Sequence, residues 1–368
     1  MKPVDLFGNA YSGKRVLITG HTGFKGSWLA LWLAMLGAEV TGFALPPESP
    51  RGNYELSGLK DIILDIHGDI RDKEHLQETF EACRPEIVFH LAAQPIVRDS
   101  YRLPAETFET NVMGTVNVLE NVRLSPTTRA AVIVTSDKCY ENREQIWGYR
   151  EGDPMGGHDP YSASKGCAEL VCAAYRRSFF SEPGGGQKGL ATARAGNVIG
   201  GGDWAPHRII PDCARALLTG WPIEVRNPNA VRPWQFVLEP LYGYLLLAAR
   251  LLEDPERFSG PWNFGPDIDS VVPVGRVVDK VITRWGSGTR TDRPQAGAVH
   301  EAGLLSLDCT KARALLGWKP LLTLDQALDS TLAWYVSFAA ADVTALCEGQ
   351  IADYCSRRIA ERAEGGAG

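Results

Sequence analysis

The sequence predicts an α/β protein built on a doubly wound parallel sheet, with a smaller lobe in its C-terminal half. Three observations carry this expectation. The first half alternates short apolar runs with longer helical patterns, as β-α-β units do. Several of those runs are continuous in Val, Ile and Leu, which suits strands covered by helices on both faces. After Gly200 the rhythm breaks into short pieces rich in Pro, Gly and Trp.

Strands are expected at Arg15 to Thr19, Glu39 to Phe43, Ile62 to Ile66, Glu86 to His90, Ala130 to Thr135 and Leu190 to Arg194. Helical periodicity spans Phe24 to Leu36, Asp72 to Cys83, Ala105 to Leu124 and Pro160 to Phe180. Further helices are expected at Pro211 to Leu218, Glu239 to Leu252, Pro273 to Trp285, Thr310 to Leu316 and Leu324 to Tyr335. Pro183 to Gln187 reads as an exposed loop, and the tail after Ala340 is expected to fray. Residues 1–190 form the sheet domain and 191–340 mainly the second lobe, with segments that can return to the sheet. Residues 341–368 form the tail.

At 368 residues the chain is long enough for about two domains. Hydrophobic residues make up 44% and charged residues 22%, which excludes a disordered chain. The net charge is −6 and basic residues never run longer than a pair such as Arg176-Arg177, so nucleic acid is not an expected partner. The apolar stretch Trp28 to Gly37 is too short to span a bilayer, and no signal-peptide pattern precedes it. The chain therefore reads as cytoplasmic. Its eight cysteines show neither a C-x-x-C pair nor zinc-ligand spacing, which suits free thiols in a reducing compartment and no metal.

Directly after the first strand comes Gly20-His-Thr-Gly23-Phe-Lys-Gly26, followed by an apolar helix. Glycines there permit a tight strand-to-helix turn and let a pyrophosphate rest on the free N–H groups of the helix N-terminus. The G-x-x-G-x-x-G spacing resembles the short-chain dehydrogenase/reductase superfamily, and Asp69-Ile70 and His90-Leu-Ala-Ala93 resemble its extended branch. The resemblance implies a Rossmann-type sheet and a smaller C-terminal substrate-binding lobe. It implies NAD held by Gly20, Thr22, Gly23, Phe24, Lys25, Gly26, Asp69, Ile70, Leu91, Ala92, Ala93, Asn111, Thr135, Tyr161 and Lys165. Strand two ends Gly42-Phe-Ala-Leu-Pro-Pro47 without the acid that often binds the ribose, so NAD over NADP follows from the family alone.

Asp159-Pro160-Tyr161-Ser-Ala-Ser-Lys165 opens a helix, with Asp suited to the N-cap and Pro to the first helical position. Tyr161 and Lys165, four apart, share a helical face, and the ammonium is expected to lower the phenol's pKa and make it a general base. The fifth strand ends Val134-Thr135-Ser136-Asp137-Lys138-Cys139-Tyr140. By resemblance, Ser136 hydrogen-bonds the reacting sugar oxygen, while Asp137 and Lys138 stand where nucleotide-sugar 4,6-dehydratases keep an acid/base couple. The usual couple is Asp-Glu. Asp-Lys, with the fingerprint, Met155-Gly-Gly-His-Asp-Pro-Tyr, Arg194-Ala-Gly-Asn-Val-Ile-Gly-Gly-Gly-Asp-Trp204 and His300-Glu-Ala302, resembles the CDP-glucose 4,6-dehydratase family over nearly the whole chain.

That resemblance implies an NAD-dependent lyase making a 4-keto-6-deoxy sugar for surface polysaccharide, with hydride passing from carbon 4 to carbon 6. By position, Tyr161 takes the 4-hydroxyl proton, Lys138 acts at carbon 5 and Asp137 assists the leaving 6-hydroxyl. Gln94, Ser136, Asn197, Arg208, Arg232 and Asn263 are implied substrate contacts. Tryptophans 204, 221, 234 and 262 are expected to pack rather than to stack on a base. The implied partners are a nucleotide sugar and a second copy, pairing through the helices at Ala105 to Leu124 and Pro160 to Phe180. An epimerase or reductase would use Tyr161 and Lys165 without Asp137-Lys138, and a non-catalytic dinucleotide sensor would need neither couple.

Overall fold

The structure, a computed structural model, describes residues 6–180, 188–293 and 303–365. The expected loop from Pro183 to Gln187 and the His300-Glu-Ala302 motif lie outside the described residues.

The strands are β1 (Arg15–Thr19), β2 (Glu39–Ala44), β3 (Leu64–His67), β4 (Ile87–His90), β5 (Ala130–Val134), β6 (Gly189–Ala195), β7 (Asn197–Ile199), β8 (Ile223–Val225), β9 (Val231–Phe236), β10 (Gly260–Phe264), β11 (Val271–Pro273) and β12 (Arg290–Asp292). The helices are α1 (Phe24–Met35), α2 (Asn53–Leu56), α3 (Lys73–Cys83), α4 (Val97–Arg102), α5 (Pro104–Phe108), α6 (Gly114–Leu124), α7 (Pro160–Tyr175), α8 (Ile209–Thr219), α9 (Leu238–Glu253), α10 (Pro255–Phe258), α11 (Val274–Trp285), α12 (Leu324–Ser337) and α13 (Val343–Gly365). Seven strands pair in parallel in the order β10-β6-β5-β4-β1-β2-β3, a Rossmann-like sheet. The order reverses between β1 and β4, where open α/β sheets carry a crevice beyond their carboxyl ends. Two small sheets, β11-β9-β7 and β12-β8, lie outside it.

Alternation along each strand divides the core. Val16 and Ile18, Ile87 and Phe89, and Ala130, Val132 and Val134 face one cluster with Trp28, Trp32 and the apolar side of α9. Leu17, Val88, Ala131 and Ile133 face the other, with Leu76 and Phe80 of α3, Val118 and Val122 of α6, and Cys172 of α7. Both faces are therefore dry, which accounts for the unbroken apolar runs.

Several expectations need correction. β3 begins at Leu64 rather than Ile62 and ends at His67. The helix expected from Ala105 begins at Pro104, and a π-helical turn at Glu109–Met113 separates α5 from α6. A second π turn, Arg176–Phe180, follows α7, and a third replaces the α-helix expected at Thr310 to Leu316. β6 and β10 both belong to the main sheet, so the second half of the chain completes it.

The largest correction is the tail, which forms the helix α13. Val343, Cys347, Ile351, Tyr354, Cys355 and Arg358 are all buried, at the three-to-four spacing of one helical face. Arg358 Nη2 donates to Glu239 Oε2 at 2.6 Å, Tyr354 O–H donates to the same oxygen at 2.8 Å, and Leu321 and Leu322 N–H donate to Oε1. A charge buried without its partner is strongly unfavourable. Arg358→Met is accordingly expected to lower stability by roughly 3–5 kcal/mol in urea unfolding; a loss below about 1 kcal/mol, the range of exposed pairs, would mean that α13 is held by other contacts.

Candidate active site

The first part of the site is an anion cradle at the start of α1. Gly20 has φ +82°, and a Cβ there would stand 2.6 Å from Ala92 N. A Cβ on Gly26 would meet the Gly20 carbonyl oxygen at 2.0 Å, so the tight turn requires glycine at both positions. Gly23 caps α1 with no side-chain hydrogen bond, and the first turn has no acidic residue. The N–H groups there are thus left for an anion. Thr22 Oγ1 donates to the Leu45 carbonyl at 2.9 Å, tying the turn to the end of β2.

The wall opposite is set by His90. Burial brings its imidazole down to about 3, so it is neutral and serves as a spacer, 2.6 Å from Thr19 Oγ1 and 3.2 Å from Thr115 Oγ1. Leu91 and Ala92 N–H donate to Thr19 and fix the segment through Ala93 beside the cradle. Asp69 is bound by Arg71, with Nη2 to Oδ2 at 2.6 Å, and this guanidinium holds its carboxyl below the usual range. Ile70 is buried, and its carbonyl accepts from Asn117. Asp65 on β3 does not supply a free ribose acid: His21 Nε2 and Tyr54 O–H each lie 2.6 Å from its carboxylate.

The second part lies at the carboxyl end of β5. Asp159 caps α7, accepting from Ser162 N–H at 2.9 Å, and sets the first turn that presents Tyr161. Ser136 lowers the Tyr161 phenol and Asp137 raises it, and Ser136 Oγ donates to Asp137 Oδ1 at 3.0 Å. Lys138 Nζ lies 3.9 Å from the same oxygen. Ser136, Asp137 and Lys138 thus form one polar cluster, and its Ser136 and Asp137 act on the Tyr161 phenol. Lys165 Nζ donates to the Val134 carbonyl at 3.2 Å, and burial brings its amine down to about 8. Burial also pushes the Tyr161 phenol up to about 12, against the lowering by Ser136. The expectation of a lowered phenol, drawn from spacing alone, is reversed because desolvation disfavours phenolate more than the cations favour it here.

Behind these groups sits a buried ion pair. Glu169, one turn beyond Lys165, accepts from Thr135 Oγ1 at 2.5 Å, Thr192 Oγ1 at 2.7 Å, and Arg194 Nε and Nη2 at 2.8 and 2.7 Å. Burial alone would raise its carboxyl, but Arg194 outweighs it and holds it low. Arg194 Nη1 donates to Tyr140 O–H at 2.6 Å, at the far end of the turn that carries Asp137 and Lys138.

The other expected site residues divide. Arg208 pairs with Asp203 at 3.0 Å, and its charge acts on both Tyr161 and Lys25. Lys25 reaches inward to the Tyr244 hydroxyl at 3.5 Å, with its amine brought down to about 7 by burial and by Lys165 and Arg208. Asp137 Oδ2 and Asn197 Oδ1 are buried without hydrogen-bond partners among the described residues, and Gly196 lies against Asp137. These groups converge. Asn111 and Gln94 instead hold each other, with Gln94 N–H to Asn111 Oδ1 at 2.8 Å, and Asn111 Nδ2 reaches Ser164. Thr135 spends its hydroxyl on Glu169. Asn263 is fully buried, accepting from Tyr140 and donating to the Tyr149 and Asp308 carbonyls, so it is a core residue rather than a contact in the cleft. Arg232 is buried and donates to the Val231 and Gly303 carbonyls. Trp234 and Trp262 are buried as expected, whereas Trp221 is exposed. Cys139 is buried and burial pushes its thiol up, which makes it inert.

Similar folds do not by themselves choose a chemistry. The solved dTDP-glucose 4,6-dehydratase of Streptomyces venezuelae, with NAD bound, matches with a TM-score of 0.76 at 23% identity, over 88% of this chain and 97% of its own. A UDP-glucose 4-epimerase of Thermotoga maritima matches with 0.74 at 22% identity, over 88% and 99%. The family model for GDP-mannose 4,6 dehydratase matches residues 17–184. The CDP-glucose 4,6-dehydratase of Salmonella typhimurium is 49% identical over 95% of this chain and 98% of its own length. The chain belongs to the CDP-glucose 4,6-dehydratase family. A dTDP-glucose 4,6-dehydratase of Xanthomonas campestris matches at 27% identity, over 87% of this chain and 93% of its own.

Sequence reasoning did not find three side chains that shape this dehydratase-family site. Glu169 was open to discovery, since it repeats the Tyr161-Lys165 interval one turn further on. Arg194 was quoted only as part of a motif. Tyr244 lies in an apolar helix with nothing nearby in sequence to mark it.

Proposed function

We propose that the protein is an NAD-dependent CDP-glucose 4,6-dehydratase. The observation that supports this reading is the Ser136–Asp137–Lys138 cluster, whose Ser136 and Asp137 act on the Tyr161 phenol, as an elimination couple next to an oxidation couple would require. The uncapped start of α1, with its glycines and no acid, fits a dinucleotide diphosphate. NAD⁺ bound there supplies a hydride acceptor that later returns the hydride, so it leaves the cycle unchanged.

Tyr161 takes the proton of the sugar 4-hydroxyl as carbon 4 loses its hydride. Because burial holds the phenol protonated to about 12, that role depends on positive charge at the site, to which Lys165 contributes while its amine is protonated, below about pH 8. Ser136 steadies the oxygen as it becomes a ketone. The ketone acidifies carbon 5. Lys138 then removes the carbon 5 proton, and Asp137 assists the departing 6-hydroxyl, which leaves as water. Arg208 and Lys25 supply cations for the diphosphates.

In this reading residues 1–190 bind the cofactor and 191–340 mainly bind the sugar nucleotide, with β6 and β10 completing the sheet. The product is a 4-keto-6-deoxy sugar nucleotide, a precursor for surface polysaccharide. The eight cysteines form no disulfide, and six are buried, which supports a reducing, cytoplasmic setting. No helix among the described residues is long and apolar enough to cross a membrane. Exposed Leu103, Phe108, Met113, Leu170 and Phe179 on the α4–α7 side support pairing with a second copy. Sedimentation should give a dimer for the unaltered chain and a monomer for Leu170→Lys; a wild-type monomer would contradict the pairing.

Incubation with CDP-glucose and NAD⁺ should yield a product lighter by one water and carrying a ketone. An isomer of unchanged mass would indicate epimerisation, and no turnover of any nucleotide sugar would indicate a sensor. Lys138→Met should retain hydride abstraction from carbon 4 but slow carbon 5 hydrogen exchange by about 100-fold or more. Exchange at the wild-type rate would remove Lys138 from the base role.

A further inference from the structure

The two chemical couples sit on different pieces of chain. Tyr161 and Lys165 lie on α7, whereas Ser136, Asp137 and Lys138 lie on the short 3₁₀ turn after β5. Their relative placement must be held, because a shift of about 1 Å can cost roughly 100-fold in rate. The turn packs directly against α7, and Lys165 Nζ of α7 donates to the Val134 carbonyl at the end of β5 at 3.2 Å. The turn approaches α7 closely at Gly166, where a Cβ would stand 3.2 Å from the Cys139 carbonyl.

Glu169 and Arg194 supply a further, buried link that reaches both ends of the turn. Glu169 belongs to α7 and lies one helical turn from Lys165. Its carboxylate takes Thr135 O–H on the near side of the turn, immediately before Ser136. Arg194, on β6, is held by two hydrogen bonds to Glu169 and extends Nη1 to Tyr140 O–H, immediately after the turn. The guanidinium also lies 4.8 Å from the centre of the Tyr140 ring. Tyr140 is fixed in turn, donating to Asn263 Oδ1 at 2.7 Å and stacking on Tyr149. Both ends of the Ser136–Cys139 turn are therefore anchored to one carboxylate on the helix of Tyr161 and Lys165. A pair serving stability alone would not need to reach both ends.

We propose that Glu169 and Arg194 are positioning residues that set the spacing between the oxidation couple and the elimination couple, so that a sugar oxidised at carbon 4 is dehydrated before release. The inference rests on the dehydratase reading. It separates the two partial reactions: loosening the anchors should spare oxidation and impair elimination.

The test uses Tyr140→Phe, which removes one hydroxyl and leaves the ion pair in place. With CDP-glucose, this variant should oxidise carbon 4 within about threefold of wild type. Dehydration should fall at least about tenfold, and the undehydrated 4-keto sugar nucleotide should accumulate. Arg194→Lys, which retains charge but loses the forked geometry, should show the same imbalance. Oxidation and dehydration falling in parallel, or a lower melting temperature with both rates intact, would overturn the proposal. Absence of dehydration by the wild-type protein would overturn the functional reading instead. In that event a crystal structure of Tyr140→Phe decides the positioning role: a turn displaced from Tyr161 upholds it, and an unmoved turn overturns it.

Discussion

The Glu169–Arg194 pair is the constraint around which the site is organised. It lies in the dry layer between α7 and the carboxyl ends of β5 and β6, with side chains only 5% and 3% exposed. Taking both charges from water is costly, and an ion pair in such a place is weak support for stability unless every lone pair and proton is matched. Here Thr135, Thr192 and Tyr140 complete the set. The network thus fixes the register of α7 against the strands that precede and follow it in the chain, β5 and β6. Tyr161, Lys165, Ser136, Asp137 and Lys138 inherit their placement from it.

The same enclosure sets the electrostatics. Burial brings the Lys165 amine down to about 8 and pushes the Tyr161 phenol up to about 12. Neither group is poised in isolation for proton transfer at neutral pH, so charge brought by the ligands has a large effect on the oxidation step. Lys25, Arg208 and Lys165 act on one another or on Tyr161 across the gap between α1, α7 and the start of α8, and this gathering of like charge favours anionic ligands. A mildly acidic chain can therefore bind diphosphates through the placement of a few cations rather than through net charge.

The sheet and the cradle were legible because local rules decide them. Continuous apolar strands, the Gly20 to Gly26 turn, and Asp159-Pro160 before Tyr161 each act within a few residues. What depends on distant partners was not legible. The tail was misread because its polar composition and terminal glycines masked a buried stripe, whose anchor Glu239 lies 119 residues from Arg358. Asn263 and Arg232 have the chemistry of ligand contacts, yet neighbouring carbonyls take the Asn263 amide and the Nη1 of Arg232. The rise of the Tyr161 phenol was hidden for a similar reason, since desolvation belongs to the assembled site and not to the Tyr-x-x-x-Lys interval.

The central claim is that one enclosed site carries out oxidation, elimination and reduction on a single sugar without releasing it. The most direct measurement is a crossover experiment with equal amounts of unlabelled CDP-glucose and CDP-glucose bearing deuterium at carbon 4 and carbon-13 elsewhere in the ring. Mass analysis of the 4-keto-6-deoxy product should find deuterium at carbon 6 only in molecules that also carry carbon-13. Deuterium spread equally among carbon-13 and unlabelled products, or lost to solvent, would contradict the account.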